Sequence, residues 1–148
     1  MLKTRLLQPE ILAVLARAGH GSQILIADGN YPAVTTLGPR ARLVSLNLSP
    51  GLVTCTQVLE ALVATVPIEA AAVMQYDTTG PYGRQEDPPI WAEFDRIFRE
   101  AGNPLTFDRI ERFAFYKAAA ADTVALTIQT GEQRIWANLL LTVGVIKG

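Results

Sequence analysis

The chain carries a single histidine, His20, and it sits between Gly19 and Gly21 just past a helical pattern. Flanking glycines leave an imidazole free to face a cleft, and histidine gives and takes protons near neutrality. The competing reading is a helix-terminal histidine that meets the dipole of the preceding helix. Asp28 ends the apolar run Gln23-Ile24-Leu25-Ile26-Ala27 and precedes the turn cluster Gly29-Asn30-Tyr31-Pro32. Ligands in α/β sheets bind beyond the carboxyl ends of strands, where a carboxylate can orient a histidine or accept hydrogen bonds from hydroxyl groups. An Asx-type cap of the turn is the equally open alternative. Arg112 opens Arg112-Phe113-Ala114-Phe115-Tyr116. That setting suggests a guanidinium held against apolar surface and aimed at something specific. The alternative is a surface ion pair with Glu111, Asp108 or another acid. Phe113 and Phe115 read as core, and Tyr116 either offers its hydroxyl to a pocket or ties down a loop. Trp136-Ala137-Asn138 follows the turn Thr130-Gly131-Glu132. Trp136 could stack on the C–H face of a sugar or serve as a core anchor, and Asn138 has both a donor and an acceptor to offer.

The elements that must position these groups read as alternating helices and strands. A helical pattern opens at Gln8-Pro9-Glu10, with Pro9 in the first turn, and stops at Gly19. Strands are expected over residues 23–28, 42–47, 70–76, 123–129 and 138–145. Helices are expected over 54–66, 89–101 and 113–121, and residues 77–90, rich in Gly, Pro and Asp, read as a long loop. This order predicts an α/β fold: a single compact domain over residues 1–148 with a mixed or mostly parallel sheet flanked by helices.

Bulk properties narrow the function classes. The chain has 148 residues, 49% of them hydrophobic and 18% charged, the balance of an ordered globular protein. The apolar share hints at surface buried between copies. Thirteen Lys and Arg offset fourteen Asp and Glu, so the electrostatic footprint of a nucleic-acid binder is missing. No apolar run is long enough for a membrane span, and the N-terminus shows no signal-peptide core. The lone cysteine, Cys55, reads as buried and points to a reducing compartment, hence the cytoplasm. No Walker loop, dinucleotide fingerprint, nucleophile elbow or zinc-ligand spacing is present, so neither cofactor nor metal is expected. Proton transfer on a neutral polar substrate, or binding alone, remains.

Three segments in order resemble the L-fucose mutarotase and D-ribose pyranase family. They are Ala18-Gly19-His20-Gly21 with Ile26-Ala27-Asp28-Gly29-Asn30-Tyr31-Pro32, then Ile110-Glu111-Arg112-Phe113-Ala114-Phe115-Tyr116, then Thr130-Gly131-Glu132 with Trp136-Ala137-Asn138. The Arg112 segment is closer to the fucose branch. The resemblance implies a cofactor-free mutarotase acting on a monosaccharide, L-fucose first. It implies His20 as proton donor, and Asp28, Arg112, Tyr116, Trp136, Ala137 and Asn138 as sugar contacts. It further implies a ring-shaped homo-oligomer, often a decamer, with active sites near subunit contacts. Trp136 stands where the family usually has tyrosine, Ser22 where an acidic residue is common, and the loop 77–89 departs from the family pattern. An indole donates a hydrogen bond but cannot exchange a proton. A non-catalytic monosaccharide-binding module is therefore the alternative expectation.

Overall fold

The computed structural model describes residues 1–148. Helix α1 (Pro9–Leu15) starts where the Gln8 side chain accepts from the Ile11 N–H, and Pro9 sits where its missing N–H costs nothing. Strand β1 (Gln23–Ala27) is an apolar run buried on both faces, as a central strand must be. Strand β2 (Arg42–Ser45) is shorter and half exposed. Helix α2 (Cys55–Val63) opens with a reciprocal capping box between Thr54 and Gln57. Strand β3 (Ile68–Met74) follows, then helix α3 (Pro89–Glu100), which buries Ile90, Trp91, Phe94, Ile97 and Phe98 at helical spacing.

Strand β4 (Asp108–Ile110) has only three residues and lies outside the strands expected from the sequence. So short a segment, with Asp and Arg in two of its three places, carries no periodicity to read. Helix α4 (Arg112–Ala119) starts on Glu111, whose carboxylate accepts from the N–H groups of Phe113 and Ala114. Strands β5 (Val124–Gln129) and β6 (Leu139–Val143) complete the elements. No helix is long and apolar enough to cross a membrane.

The six strands form one sheet in the order β2-β5-β1-β6-β3-β4. Pairs β2·β5, β5·β1 and β3·β4 are parallel, and β6 runs antiparallel to both β1 and β3. The α/β fold is thus of the mixed kind. Alternation along the strands divides the interior into two layers. Ile24 and Ile26 of β1, with Leu139 and Leu141 of β6, pack under α1, α2 and α3. Leu25, Ala27, Leu140 and Met74 point to the other face, where α4 supplies Phe115 and Ala119, and Tyr31 and Trp136 fill in beside it. One helix covers that second face, so aromatic side chains from loops must complete its layer.

At the carboxyl end of β5 the chain is clasped by residues 49–53. The Gly131 N–H donates to Val53 O at 2.9 Å, and the Gly51 N–H donates to Gly131 O at 2.7 Å. A Cβ on Gly131 would fall 2.2 Å from Leu52 O and 2.5 Å from Ser49 O. Gly131→Ala must therefore displace backbone. It is expected to lower stability by about 1–3 kcal/mol, read as a lower Tm at fixed protein concentration, the cost of overpacking a tight site.

Candidate functional site

Where β1 ends, Asp28 is locked to Asn138 at the start of β6. The Asp28 N–H donates to Asn138 Oδ1 at 2.9 Å, and Asn138 Nδ2 donates to Asp28 Oδ2 at 3.0 Å. The Ala137 N–H reaches the same carboxylate oxygen at 3.4 Å, while the Asn30 N–H donates to Oδ1 at 3.0 Å. The Asx-type turn contact and the site reading of Asp28 are therefore both realised. Gln129 Nε2 donates to the Asp28 carbonyl at 2.6 Å, so β5 holds the same residue from its other flank.

Asp28 is 3% exposed and has no cation against its carboxylate. Burial pushes its carboxyl up to about 6, although the N–H groups of Asn30 and Ala137 and the Asn138 amide pull the other way. A carboxyl at that level exchanges protons near neutrality, the property that general acid–base work needs.

Asp28 opens into a cleft of about 320 Å³ that Arg112, Tyr116, Trp136 and Asn138 also line, together with Asn30, Tyr31, Met74, Tyr82 and Ile135. The fold thus brings together five of the side chains expected from the sequence, and Ala137 joins them through its N–H. Arg112 pairs with Asp77 at 3.3 Å, not with Glu111 or Asp108, and its guanidinium lies 5.0 Å from the centre of the Phe113 ring. Phe113 is exposed in that role, which corrects its reading as core; only Phe115 is buried. The helix start turns residue 113 outward, and the arginine covers its face.

Two buried polar atoms in this cleft's lining have no partner: Arg112 Nε and the Tyr31 hydroxyl. Burial, first of all, raises the Tyr31 phenol above its ordinary range. The Tyr31 ring packs 5.6 Å from that of Tyr116. Unpaired buried donors at a cleft mark a place where a polar ligand would gain hydrogen bonds that the empty protein lacks.

Trp136 adopts φ 63°, an uncommon conformation for a non-glycine residue and one that accumulates at functional sites. It is 6% exposed. Its indole N–H donates to Tyr82 O at 3.2 Å, and its own carbonyl accepts from Trp91 Nε1 at 2.9 Å.

His20 lies elsewhere. It precedes β1, whereas Asp28 follows it, so the strand separates them by roughly 20 Å at the rise of an extended chain. The imidazole Nε2 is 2.9 Å from Glu69 Oε1, and the side chain is 60% exposed. Within one chain, His20 and Asp28 do not meet.

Glu132 belongs to the scaffold. Its carboxylate accepts from the Cys55 N–H at the start of α2 and from Arg134 Nε and Nη2 at 2.9 and 2.8 Å. Burial raises its carboxyl, but the Arg134 contacts and the Cys55 N–H outweigh that and hold it below the usual range. Cys55 is buried and free, as expected, and burial pushes its thiol up. Asn30, Tyr31, Met74, Tyr82 and Ile135 were not picked out as site residues by type or spacing. Asn30 and Tyr31 do lie in the turn next to Asp28, the one local signal that could have found them.

The raised Asp28 carboxyl has a stability consequence. The folded state holds this proton more tightly than the unfolded chain, whose aspartate titrates near 3.8. The contribution is complete below about pH 4 and is lost as pH rises through about 6. Relative to Asp28→Asn, the protein should lose on the order of 2–3 kcal/mol between pH 4 and pH 7, read by denaturant unfolding at several pH values. A flat difference across that range would place the Asp28 carboxyl at its ordinary value.

The chain is similar to known proteins over nearly its whole length. Residues 1–146 match the model of the RbsD / FucU transport protein family. The chain is 34% identical to the human (Homo sapiens) fucose mutarotase, over 95% of this chain and 90% of that protein. It is 32% identical to the Danio rerio fucose mutarotase, over the same shares. The solved FucU from Bifidobacterium longum superposes with a TM-score of 0.76 at 32% identity, covering 95% of each chain. The fold is also that of the Streptococcus pneumoniae fucose mutarotase solved with L-fucose, with a TM-score of 0.79 at 22% identity over 95% of this chain and 94% of that one. The chain belongs to the RbsD / FucU family.

Proposed function

We propose that this protein is a mutarotase that interconverts the α and β anomers of L-fucose. The observation that carries this reading is the cleft in which the buried Asp28 carboxyl, clasped by Asn138, meets the Arg112 guanidinium. Relatives named fucose mutarotase, similar over nearly the whole chain, supply the sugar.

The reaction needs only proton transfers. A base takes the proton of the anomeric hydroxyl, the bond between C1 and the ring oxygen breaks, and an acid protonates the ring oxygen. Rotation about C1–C2 in the open aldehyde and the reverse transfers close the ring on the other face. Atoms and electrons balance without a cofactor. In this reading Asp28 holds a hydroxyl or the acid–base histidine in place. Arg112 grips hydroxyls and stabilises the alkoxide as charge develops. Asn138 and the Ala137 N–H fix the Asp28 carboxylate, and Tyr116 closes the cleft beside Arg112. General acid–base catalysis supplies about 10²–10⁴-fold, enough for a ring opening already feasible in water.

His20 acts in this scheme as the proton carrier of the neighbouring copy's cleft. Its own cleft is out of reach, but its position at the opposite end of β1 suits head-to-tail contact between copies. Exposed apolar side chains support such contact at both ends. Val34 and Leu48 are exposed on the loops that follow β1 and β2, and Val145 and Ile146 lie on the segment that follows β6, beside Glu69. Head-to-tail contacts that close give a ring, in keeping with a decamer. The single buried cysteine is in keeping with the cytoplasm.

Saturation-transfer NMR at the anomeric protons of L-fucose tests the reading. The protein should speed α/β exchange, and His20→Ala and Asp28→Asn should each abolish the effect. Equal amounts of the two variants, refolded together, should recover activity, because about a quarter of the clefts then pair an intact His20 with an intact Asp28. Binding of L-fucose without faster exchange would establish a sugar-binding module instead. No recovery in the mixture would overturn the shared site.

A further inference from the structure

Residues 77–88 form a strap fixed at both ends beside the cleft. Asp77 pairs with Arg112 at 3.3 Å, and Asp87 receives two hydrogen bonds from Arg109, at 2.9 and 2.6 Å. Arg109 in turn stands 5.0 Å from the Trp91 ring centre. Within the strap the Arg84 N–H donates to Asp77 O at 2.8 Å, and Gln85 Nε2 donates to Thr78 O at 3.0 Å. Its middle is tied down at the cleft, where Trp136 Nε1 donates to the Tyr82 carbonyl.

This arrangement takes from Trp136 the stacking face that its residue type offered. Trp136 is almost fully buried and its one donor is spent. Tyr82 lines the same cleft and is 63% exposed, an aromatic surface that the protein alone leaves uncovered. We propose that Tyr82 is the platform on which the C–H face of the sugar packs, and that Trp136 is the positioning residue that holds Tyr82 over the cleft. The inference rests on the mutarotase reading and adds a specificity determinant to it. L-fucose has the galacto configuration, which gathers the C–H bonds at C3, C4 and C5 on one face. That face suits an aromatic ring, while the hydroxyls turn to the polar groups around Asp28 and Arg112. Met74 and Ile135 line the same cleft and extend its apolar share.

Two readouts on the intact protein test this. The dependence of anomer exchange on L-fucose concentration gives KM and kcat, and saturation-transfer difference spectra report which sugar protons touch the protein. Tyr82→Ala should raise KM about three- to tenfold, the worth of an aromatic contact, with the loss falling on KM and not on kcat. Saturation of H3, H4 and H5 should fade with it. Tyr82→Phe, which keeps the ring, should restore both. Trp136→Phe, which keeps a buried ring but removes the N–H, should raise KM part of the way. If the protein exchanges anomers and Tyr82→Ala leaves KM and the saturation pattern unchanged, the platform assignment is wrong and the mutarotase reading stands. If L-fucose is bound without exchange and Tyr82→Ala still erases the C–H pattern, the mutarotase reading fails and the platform stands. If the unaltered protein gives neither faster exchange nor saturation of any sugar proton, both are overturned.

Discussion

The site depends on one clasp, the reciprocal bonds between the Asp28 backbone and carboxylate and the Asn138 side chain. It joins the carboxyl end of β1 to the amino end of β6. It also explains why a carboxyl can be buried without a cation beside it. Three donors satisfy its oxygens, yet none is charged, so the group stays close to the balance between its two protonation states. A charged partner would have drawn the carboxyl down and made it a fixed anion. The antiparallel β6 is what makes the clasp possible, because a parallel strand would bring its far end to this edge of the sheet.

Around the clasp the fold separates support from reach. Glu132, Arg134 and the start of α2 form a charged truss on one side, and Gly131 lets residues 49–53 close against it without a side chain between. On the other side α4 offers Arg112 from its first turn, with Glu111 holding the helix start. The second interior layer is thin, and loop aromatics complete it. Those aromatics serve both as packing and as cleft wall, which is how a protein of this size can afford a site without a separate lid element.

Much of this was legible in the sequence because it is written in local pattern. Asp28 stands out at the end of an apolar run, and Arg112 stands out beside two phenylalanines at the head of an expected helix. The five longer strands and the α/β class followed from alternation of periods, but β4 is too short to have one, and the strand order and the antiparallel β6 depend on contacts distant in sequence. The separation of His20 from Asp28 was not read from the sequence, although the order of the residues carries it. A strand with His20 before it and Asp28 after it puts the two at opposite ends, whatever the rest of the fold does. Tyr82 was not legible. It lies in a loop without periodicity, and its meaning arises only when the Trp136 indole reaches across to its carbonyl, a contact spanning 54 residues. Phe113 failed for a similar reason. Its type says core, but a helix start and an arginine decide its exposure.

The central claim is that the Asp28 cleft is the sugar site and that the assembled protein completes it. A crystal structure of the oligomer with L-fucose tests this most directly. The account predicts the sugar within hydrogen-bond distance of Asp28 and Arg112, with the neighbouring copy's His20 at the mouth of the cleft. A sugar bound elsewhere, or an assembly in which every His20 faces solvent, would contradict it.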